Sequence, residues 1–250
     1  MKGTTPAGAR SEREAAEWVR AMFGRVAHRY DLANHLLSFN IDRYWRARTV
    51  SRLRPVLSRP AARVLDICCG TGDLVRALQR GRPPGLPAAP VIGSDFCHPM
   101  LVAARAKVGA GALVEADALR LPLADASLDL ITVAFGFRNL ANYEAGLREM
   151  RRVLRSGGMA AILEFSQPPN PIFGALYAFY SRRVLPVIGG ALSGSRDAYS
   201  YLPESVSKFP APEPLAAMMR AAGFSPVTFE RLTGGIVALH VGQASACGGL

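Results

Sequence analysis

Lysine is almost missing from this chain. Of its 30 basic residues only Lys2, Lys107 and Lys208 are lysines, and arginine carries the rest of a formal net charge of +11. The charge is uneven, since residues 10–63 hold 12 arginines against five acids and so supply +7 of that total. No nucleic-acid-binding motif and no basic block with interleaved aromatics accompanies it, which argues against nucleic acid and favours an anionic lipid surface. Cysteine is also scarce. Cys68 and Cys69 are adjacent, while Cys97 and Cys247 stand far apart. With no C-x-x-C pair there is neither a zinc site nor a disulfide framework to expect, only reduced thiols in a cytoplasmic protein. His28, His35, His98 and His240 lack metal-ligand spacing, so no metal is expected. No apolar run reaches the roughly 18 residues of a membrane span. The start, MKGTTPAGARSEREAAEW, has no apolar signal region, and residues 1–10 read as a disordered tail.

What is present is a change of period. Residues 11–29 place Ala15, Val19, Met22, Phe23 and Val26 at helical spacing, and a second helix fits 43–57. From Arg63 short apolar runs alternate with helical segments: RVLDIC, then 73–80; PVIGSDF, then 98–107; ALVEA; LDLITVAF, then 142–154; MAAILEF. That alternation signals a parallel sheet with helices on both faces. The Pro- and Gly-rich residues 80–90 read as the loop before the second strand. A helix over 213–222 ends at Gly223, and strands near 225–232 and 235–242 flank Thr233-Gly234-Gly235. Strands joined by so tight a turn pair antiparallel. The organisation expected is a helical cover at 11–60, a core at 61–167 and 211–245, and an inserted lid at 168–210.

The most informative segment is VLDICCGTGD, residues 64–73. A strand runs into Gly70-Thr71-Gly72, and a helix opens at Asp73. Glycines let such a loop turn tightly and approach a ligand. A dinucleotide fingerprint needs a third small residue at the next turn, where this chain has Val75. Asp73 at the helix start also disfavours a pyrophosphate. A cofactor with a sulfonium and an ammonium suits Asp66 and Asp73 better, which favours methyl transfer over hydride transfer. Asp95, with Phe96 beside it, closes the second strand 23 positions after Gly72, where a carboxylate accepts hydrogen bonds from ribose hydroxyls. Asp117-Ala118 follows the third strand and fits an adenine edge. A helix cap or solvated turn accounts for any one of these acids alone. Three at successive strand ends behind a glycine loop are harder to dismiss.

Several separated blocks now resemble the ubiquinone/menaquinone biosynthesis C-methyltransferase family over about residues 20–242: YDLANHLLSFNIDRYW (30–45), the glycine loop, FGFRNL (135–140), RRVLRSGGMAAILEFS (151–166) and LTGGIVALHVG (232–242). The chain departs from the family pattern in having Ala33 for Met, Asn40 for Gly, Ser156 for Pro, and Ala134 where some members carry a serine. The resemblance implies an α/β fold, a class I S-adenosylmethionine-dependent methyltransferase (Rossmann-like) sheet with an antiparallel C-terminal hairpin and an N-terminal helical cover. It implies S-adenosyl-L-methionine as cofactor, bound by Thr71, Asp95, Asp117 and Ala118; Asp66, Gly70, Gly72 and Phe96 complete the expected cofactor-binding set. It also implies a lipophilic polyprenyl quinol as acceptor.

Carbon methylation of a quinol needs in-line alignment and an electron-rich ring. Arg138 in FGFRN is the first candidate for stabilising a phenolate or ordering a water, with Asn139 assisting. The competing role for Arg138 is a structural pair with Asp129 or Glu144. Tyr30, Asp31 and Asn34 are candidates for a substrate-side lid, Tyr30 through a cation–π contact; plain helix packing is the alternative. Residues 171–192 are apolar and aromatic, broken by Arg182-Arg183 and Pro186. They read either as a membrane-facing lid, with Phe173, Phe179 and Leu185 toward lipid, or as an internal cover for the sheet. Two other functions stay open: methylation of another phenolic or sterol-like acceptor, and a non-catalytic scaffold in a quinone-synthesis complex. Homodimerisation stays open too.

Overall fold

Four residues explain where the sheet begins. Val64–Ile67 (β1) is buried at every position, as a strand covered on both faces must be. It pairs in parallel with Val91–Asp95 (β2) on one side and Leu128–Ala134 (β4) on the other. Leu113–Glu115 (β3) extends the β2 side and Leu154–Phe165 (β5) the β4 side. The last two strands, Phe224–Leu232 (β6) and Val237–Ala244 (β7), form the expected hairpin, but it folds back so that β7 lies antiparallel beside β5. The seven-stranded order is β3-β2-β1-β4-β5-β7-β6. The chain's direction of travel across the sheet reverses between β1 and β4, and ligands in open α/β sheets bind at the carboxyl ends of the strands at that point. This is a computed structural model, and it describes residues 3–85, 87, 89–184, 187 and 196–245.

One face carries Ile41–Leu57 (α3), Asp73–Arg80 (α4) and His98–Val108 (α5); the other carries Tyr143–Val153 (α6) and, further along the chain, Pro212–Ala221 (α9). Each face has its own core. Trp45, Leu53 and Leu78 pack on the first, and Phe137, Leu147 and Met219 on the second. Each such large side chain, once fully buried, stabilises the fold by roughly 1.5–3 kcal/mol. Gly223 ends α9 with φ +92, the left-handed cap its position predicts.

The N-terminal cover differs in detail from expectation. Glu12–Val26 (α1) buries Ala15, Val19, Met22 and Val26, and Ser11 caps it by accepting from the Glu14 N–H at 3.2 Å. A 3₁₀ turn over Ala27–Arg29 then leads into a separate helix, Tyr30–Leu37 (α2), which the apolar spacing does not reveal. At the corner before α3, Phe39 and Asn40 have φ of 51 and 59. Asn40 thus occupies a left-handed position that glycine or asparagine tolerates, which explains the exchange there. The start of the described chain packs onto the domain at Thr4 and Pro6, while Ala7, Gly8 and Arg10 are exposed. Thr4 is buried, its N–H donates to the Leu140 carbonyl at 2.8 Å, and a Cβ on Gly3 would lie 2.3 Å from Ala141. Close backbone approach, unreadable from composition, ties this segment down.

The inserted region holds Pro171–Phe179 (α7), a π turn over Tyr180–Val184, and Arg196–Lys208 (α8). No residue of α7 is fully buried. Phe173 packs on the β6–β7 turn, where a Cβ on Gly234 would lie 2.7 Å from its ring; it does not face lipid. Leu185, Pro186 and Cys247 lie outside the described residues. Among the described residues, no helix is long and apolar enough to cross a membrane.

Candidate active site

A cavity of about 770 Å³ opens at the carboxyl ends of β1, β2 and β4, roofed by α1, α2, α7 and α8. At its floor, Cys68 (φ 49) and Phe135 (φ 59) both adopt left-handed backbone just past β1 and β4. Such conformations are costly for residues with a Cβ and cluster at functional sites. The two turns touch: a Cβ on Gly136 would lie 2.4 Å from the Cys68 Cβ. Gly136→Ala is therefore expected to cost about 1–3 kcal/mol by overpacking, measured as a drop in the urea midpoint.

Gly70 (φ +53) lines the cavity, and a Cβ there would meet only the Tyr30 ring edge, at 4.0 Å. That leaves open space above the loop. Asp95 fixes the loop from below, with Oδ2 accepting the Gly70 N–H at 2.8 Å and Oδ1 the Cys97 N–H at 2.9 Å. Burial raises the Asp95 pKa, opposed by those N–H groups. Asp117 accepts from the Leu119 N–H at 2.9 Å. Beside it the Ala118 N–H, at the cavity wall, has no partner among the described residues. Asp66 lies under the loop, takes the Thr132 hydroxyl at 2.6 Å, and is pushed up by burial to about 7. Carboxylates at three strand ends, a free N–H and an open glycine face suit a cationic, adenosine-bearing cofactor. They do not suit a pyrophosphate.

The model of the ubiE/COQ5 methyltransferase family matches residues 9–244. The chain belongs to that family. A demethylmenaquinone methyltransferase of Thermus thermophilus is 52% identical over 89% of this chain and 99% of its own length. One of Deinococcus radiodurans is 46% identical, covering 95% and 96%. A ubiquinone/menaquinone biosynthesis C-methyltransferase of Geotalea uraniireducens is 40% identical, covering 92% and 97%. In fold, the chain matches a SAM-dependent methyltransferase from Thermotoga maritima with a TM-score of 0.64 at 19% identity, over 90% of this chain and 99% of that one. As a ubiE/COQ5 methyltransferase, the chain uses S-adenosylmethionine to methylate carbon.

In this methyltransferase Arg138 is buried at the cavity wall, 5% exposed. Its partner is neither Asp129 nor Glu144 but Glu164, 1% exposed, at the end of β5. Nη1 reaches Glu164 Oε1 at 2.8 Å and the Phe135 carbonyl at 2.5 Å, and Nε donates to Ser205 at 3.2 Å. Burial works against the Arg138 charge, but the Glu164 carboxylate beside it prevails and raises the pKa. Nη2 has no hydrogen-bond partner among the described residues. Asn139 accepts from the Tyr201 hydroxyl at 3.1 Å. Aromatic rings complete the wall. Trp45, Phe135 and Phe165 pack together with centroids 4.7–6.2 Å apart, and Trp45 Nε1 donates to Thr233 at 2.7 Å. Tyr177 comes from α7, and burial pushes its hydroxyl up to about 12, so it stays protonated at neutral pH.

Not every expected residue reaches the cavity. Asp66, Gly70, Thr71, Asp95, Phe96, Asp117, Ala118, Tyr30, Arg138 and Asn139 line it; Gly72 and Asp31 do not. Gly72 (φ +85) packs α4 against α5, where a Cβ would meet Val108 at 3.0 Å. Asp31 accepts the Thr71 hydroxyl at 2.5 Å and pairs with Lys107 at 2.6 Å, which clamps α2 to the loop. The Asn34 side chain lies outside the described residues. Asp73 is neutralised by Lys107 at 2.6 Å and Arg46 at 3.3 Å, so its charge is not available to a cofactor cation. His35, Asp42 and Asp73 converge within 4.8 Å, yet Arg46 pairs with both carboxylates and already supplies the counter-charge. Glu164, Tyr177 and Tyr201 escaped sequence reasoning. Glu164 stood inside the matched block at 151–166, but nothing local marks it as a partner for Arg138.

Two measurements follow from this geometry. Lys107→Met leaves Asp31 and Asp73 without their shared cation, and a loss of about 1–2 kcal/mol is expected, between exposed and buried pair values. Proteolysis within 27–40 should accelerate with it. Burial raises the Asp66 carboxyl from the ordinary 3.8 to about 7 in the folded protein. Its stabilising effect is therefore full below about pH 4 and lost as pH rises through about 7. Asp66→Asn should raise Tm at about pH 8, with the gain shrinking toward about pH 4.

Proposed function

We propose that the chain methylates a ring carbon of a polyprenyl quinol, with demethylmenaquinol the favoured acceptor. The observation that carries this reading is one continuous space. The carboxylate-edged glycine loop opens directly onto a chamber walled by Trp45, Phe135, Phe165 and Tyr177, large and apolar enough for a bicyclic ring. The Thermus and Deinococcus relatives, both demethylmenaquinone methyltransferases by name, support the naphthoquinol ring.

In this reading Asp95 accepts the ribose hydroxyls, while Asp117 and the Ala118 N–H take the adenine edge. Phe96 packs beside the base, and Gly70 admits the cofactor over the loop. S-adenosylmethionine, when bound, supplies an electrophilic methyl group. Arg138 directs its Nη2 edge at the quinol oxygen and stabilises the phenolate that makes the ring carbon nucleophilic. Glu164 holds that guanidinium in place, and Asn139 hydrogen-bonds nearby. Tyr30 covers the loop, and Asp31 and Lys107 keep it there. The phenolic proton leaves to a water ordered at Arg138, since Tyr177 stays protonated. An acceptor with a prenyl tail resides in a bilayer, so the chain works as a peripheral protein on the cytoplasmic face of an anionic membrane.

A panel assay tests the reading. The protein should bind S-adenosylmethionine in a calorimeter and turn over reduced demethylated naphthoquinols faster than sterols or simple phenols. Cofactor binding without turnover of any quinol would leave it without its acceptor. No binding at all would make the chain a scaffold.

A further inference from the structure

Among the described residues, most of the exposed large apolar side chains sit on two segments. Leu36, Phe39 and Tyr44 lie around the α2–α3 corner; Ile172, Leu176 and Phe179 lie on α7. Phe39 is 73% exposed and Ile172 82%. The segments are far apart in sequence but joined in space. The Tyr180 hydroxyl donates to the Leu37 carbonyl at 3.0 Å, and the Phe39 and Tyr180 rings approach to 6.3 Å. Both also line the cavity, the corner through Leu37 and Ser38, α7 through Gly174, Tyr177 and Ala178.

Helix α7 is therefore two-faced without being amphipathic. Gly174, Tyr177 and Ala178 turn inward, while Ile172, Leu176 and Phe179, at i, i+4 and i+7, turn outward. The segment PIFGALYAF contains no charged residue. A lid meeting water carries polar residues on its outer face, and an element apolar all round is buried against something. The corner is held firmly enough to present Phe39: Asp42 accepts from Ser38 at 2.8 Å and lies 2.8 Å from His35 Nδ1. Arg43 and Arg183 flank the two segments, both exposed and neither in an ion pair among the described residues.

We propose that the α2–α3 corner and the outer face of α7 form the two lips of a lipid-docking rim. The cavity that both lips line passes the acceptor's tail into an anionic bilayer. The inference rests on a tailed acceptor occupying the cavity. Apolar lips enter the acyl boundary while Arg43 and Arg183 meet anionic headgroups. A second copy fits the rim less well, because a two-fold contact would bring like arginines together. The tail never crosses water, so ring and chain stay in separate media throughout turnover.

The test uses the full chain with two charge insertions outside the cavity lining, Tyr44→Asp on one lip and Leu176→Asp on the other. Vesicles containing phosphatidylglycerol should bind the parent, more weakly at high salt, while phosphatidylcholine vesicles bind it poorly. Each variant, with unchanged Tm, should lose vesicle affinity by about tenfold or more. Each should lose kcat/KM for a long-tailed quinol in vesicles while keeping it for a short-tailed quinol in solution. Vesicle binding equal to the parent in both variants overturns the proposal. So does equal loss on both acceptors, or a stable dimer in solution that both substitutions dissolve. Failure of the parent on the short-tailed quinol would refute the acceptor assignment instead, with vesicle binding still reporting on the rim.

Discussion

Arg138→Ala is expected to destabilise the protein by about 3–5 kcal/mol and to abolish turnover, because it strands a buried carboxylate. Glu164 is 1% exposed and has Arg138 as its only ion-pair partner among the described residues. The single substitution thus mixes folding with chemistry. The double variant Arg138→Met/Glu164→Met separates them, since replacing a buried pair with apolar residues of similar size is often neutral. Its urea midpoint should return close to the parent. Its kcat should remain at least about 10²-fold down, as when a donor to developing negative charge is lost. Cofactor affinity should change little, because neither residue touches the glycine loop. A stable double variant with parental turnover would reduce Arg138 to a structural role.

Asp95→Ala is expected to weaken S-adenosylmethionine binding by about 1–3 kcal/mol, the range for hydrogen bonds to a charged group. The structure adds a second contribution to that loss. The same carboxylate holds the Gly70 and Cys97 N–H groups, so its removal frees the loop as well as the proposed ribose contacts. Asp95→Asn keeps one carbonyl oxygen and should fall between parent and alanine variant. Calorimetric titration of the three proteins reads the order directly. Equal affinity in all three would mean that the cofactor lies elsewhere.

The core of the fold was legible in the sequence because its signals are local. Strand β1 is a short apolar run broken only by Asp66, α4 spans the expected residues 73–80, and Gly223 marks a helix end. The three strand-end acids were legible for the same reason, since a loop after each strand fixes their place. Pairings across the sheet were not legible. Glu164 meets Arg138 only because β5 lies beside β4 and a 3₁₀ turn over Phe137–Asn139 brings the guanidinium back. Asp73 read as an acid for a cofactor cation, whereas Lys107, a helix away, already neutralises it. The docking of Thr4 depends on the distant Leu140 carbonyl and Tyr201 hydroxyl, which no periodicity carries.

The central claim is carbon methylation of a reduced ring. Incubation with methyl-labelled S-adenosylmethionine and demethylmenaquinol, kept reduced or allowed to oxidise, tests it most directly. Mass-spectrometric fragmentation then locates the label. The expected result is a labelled methyl on a ring carbon, formed from the quinol alone and lost in the Arg138→Met/Glu164→Met variant. Label on an oxygen, or equal turnover of the oxidised quinone, would contradict it.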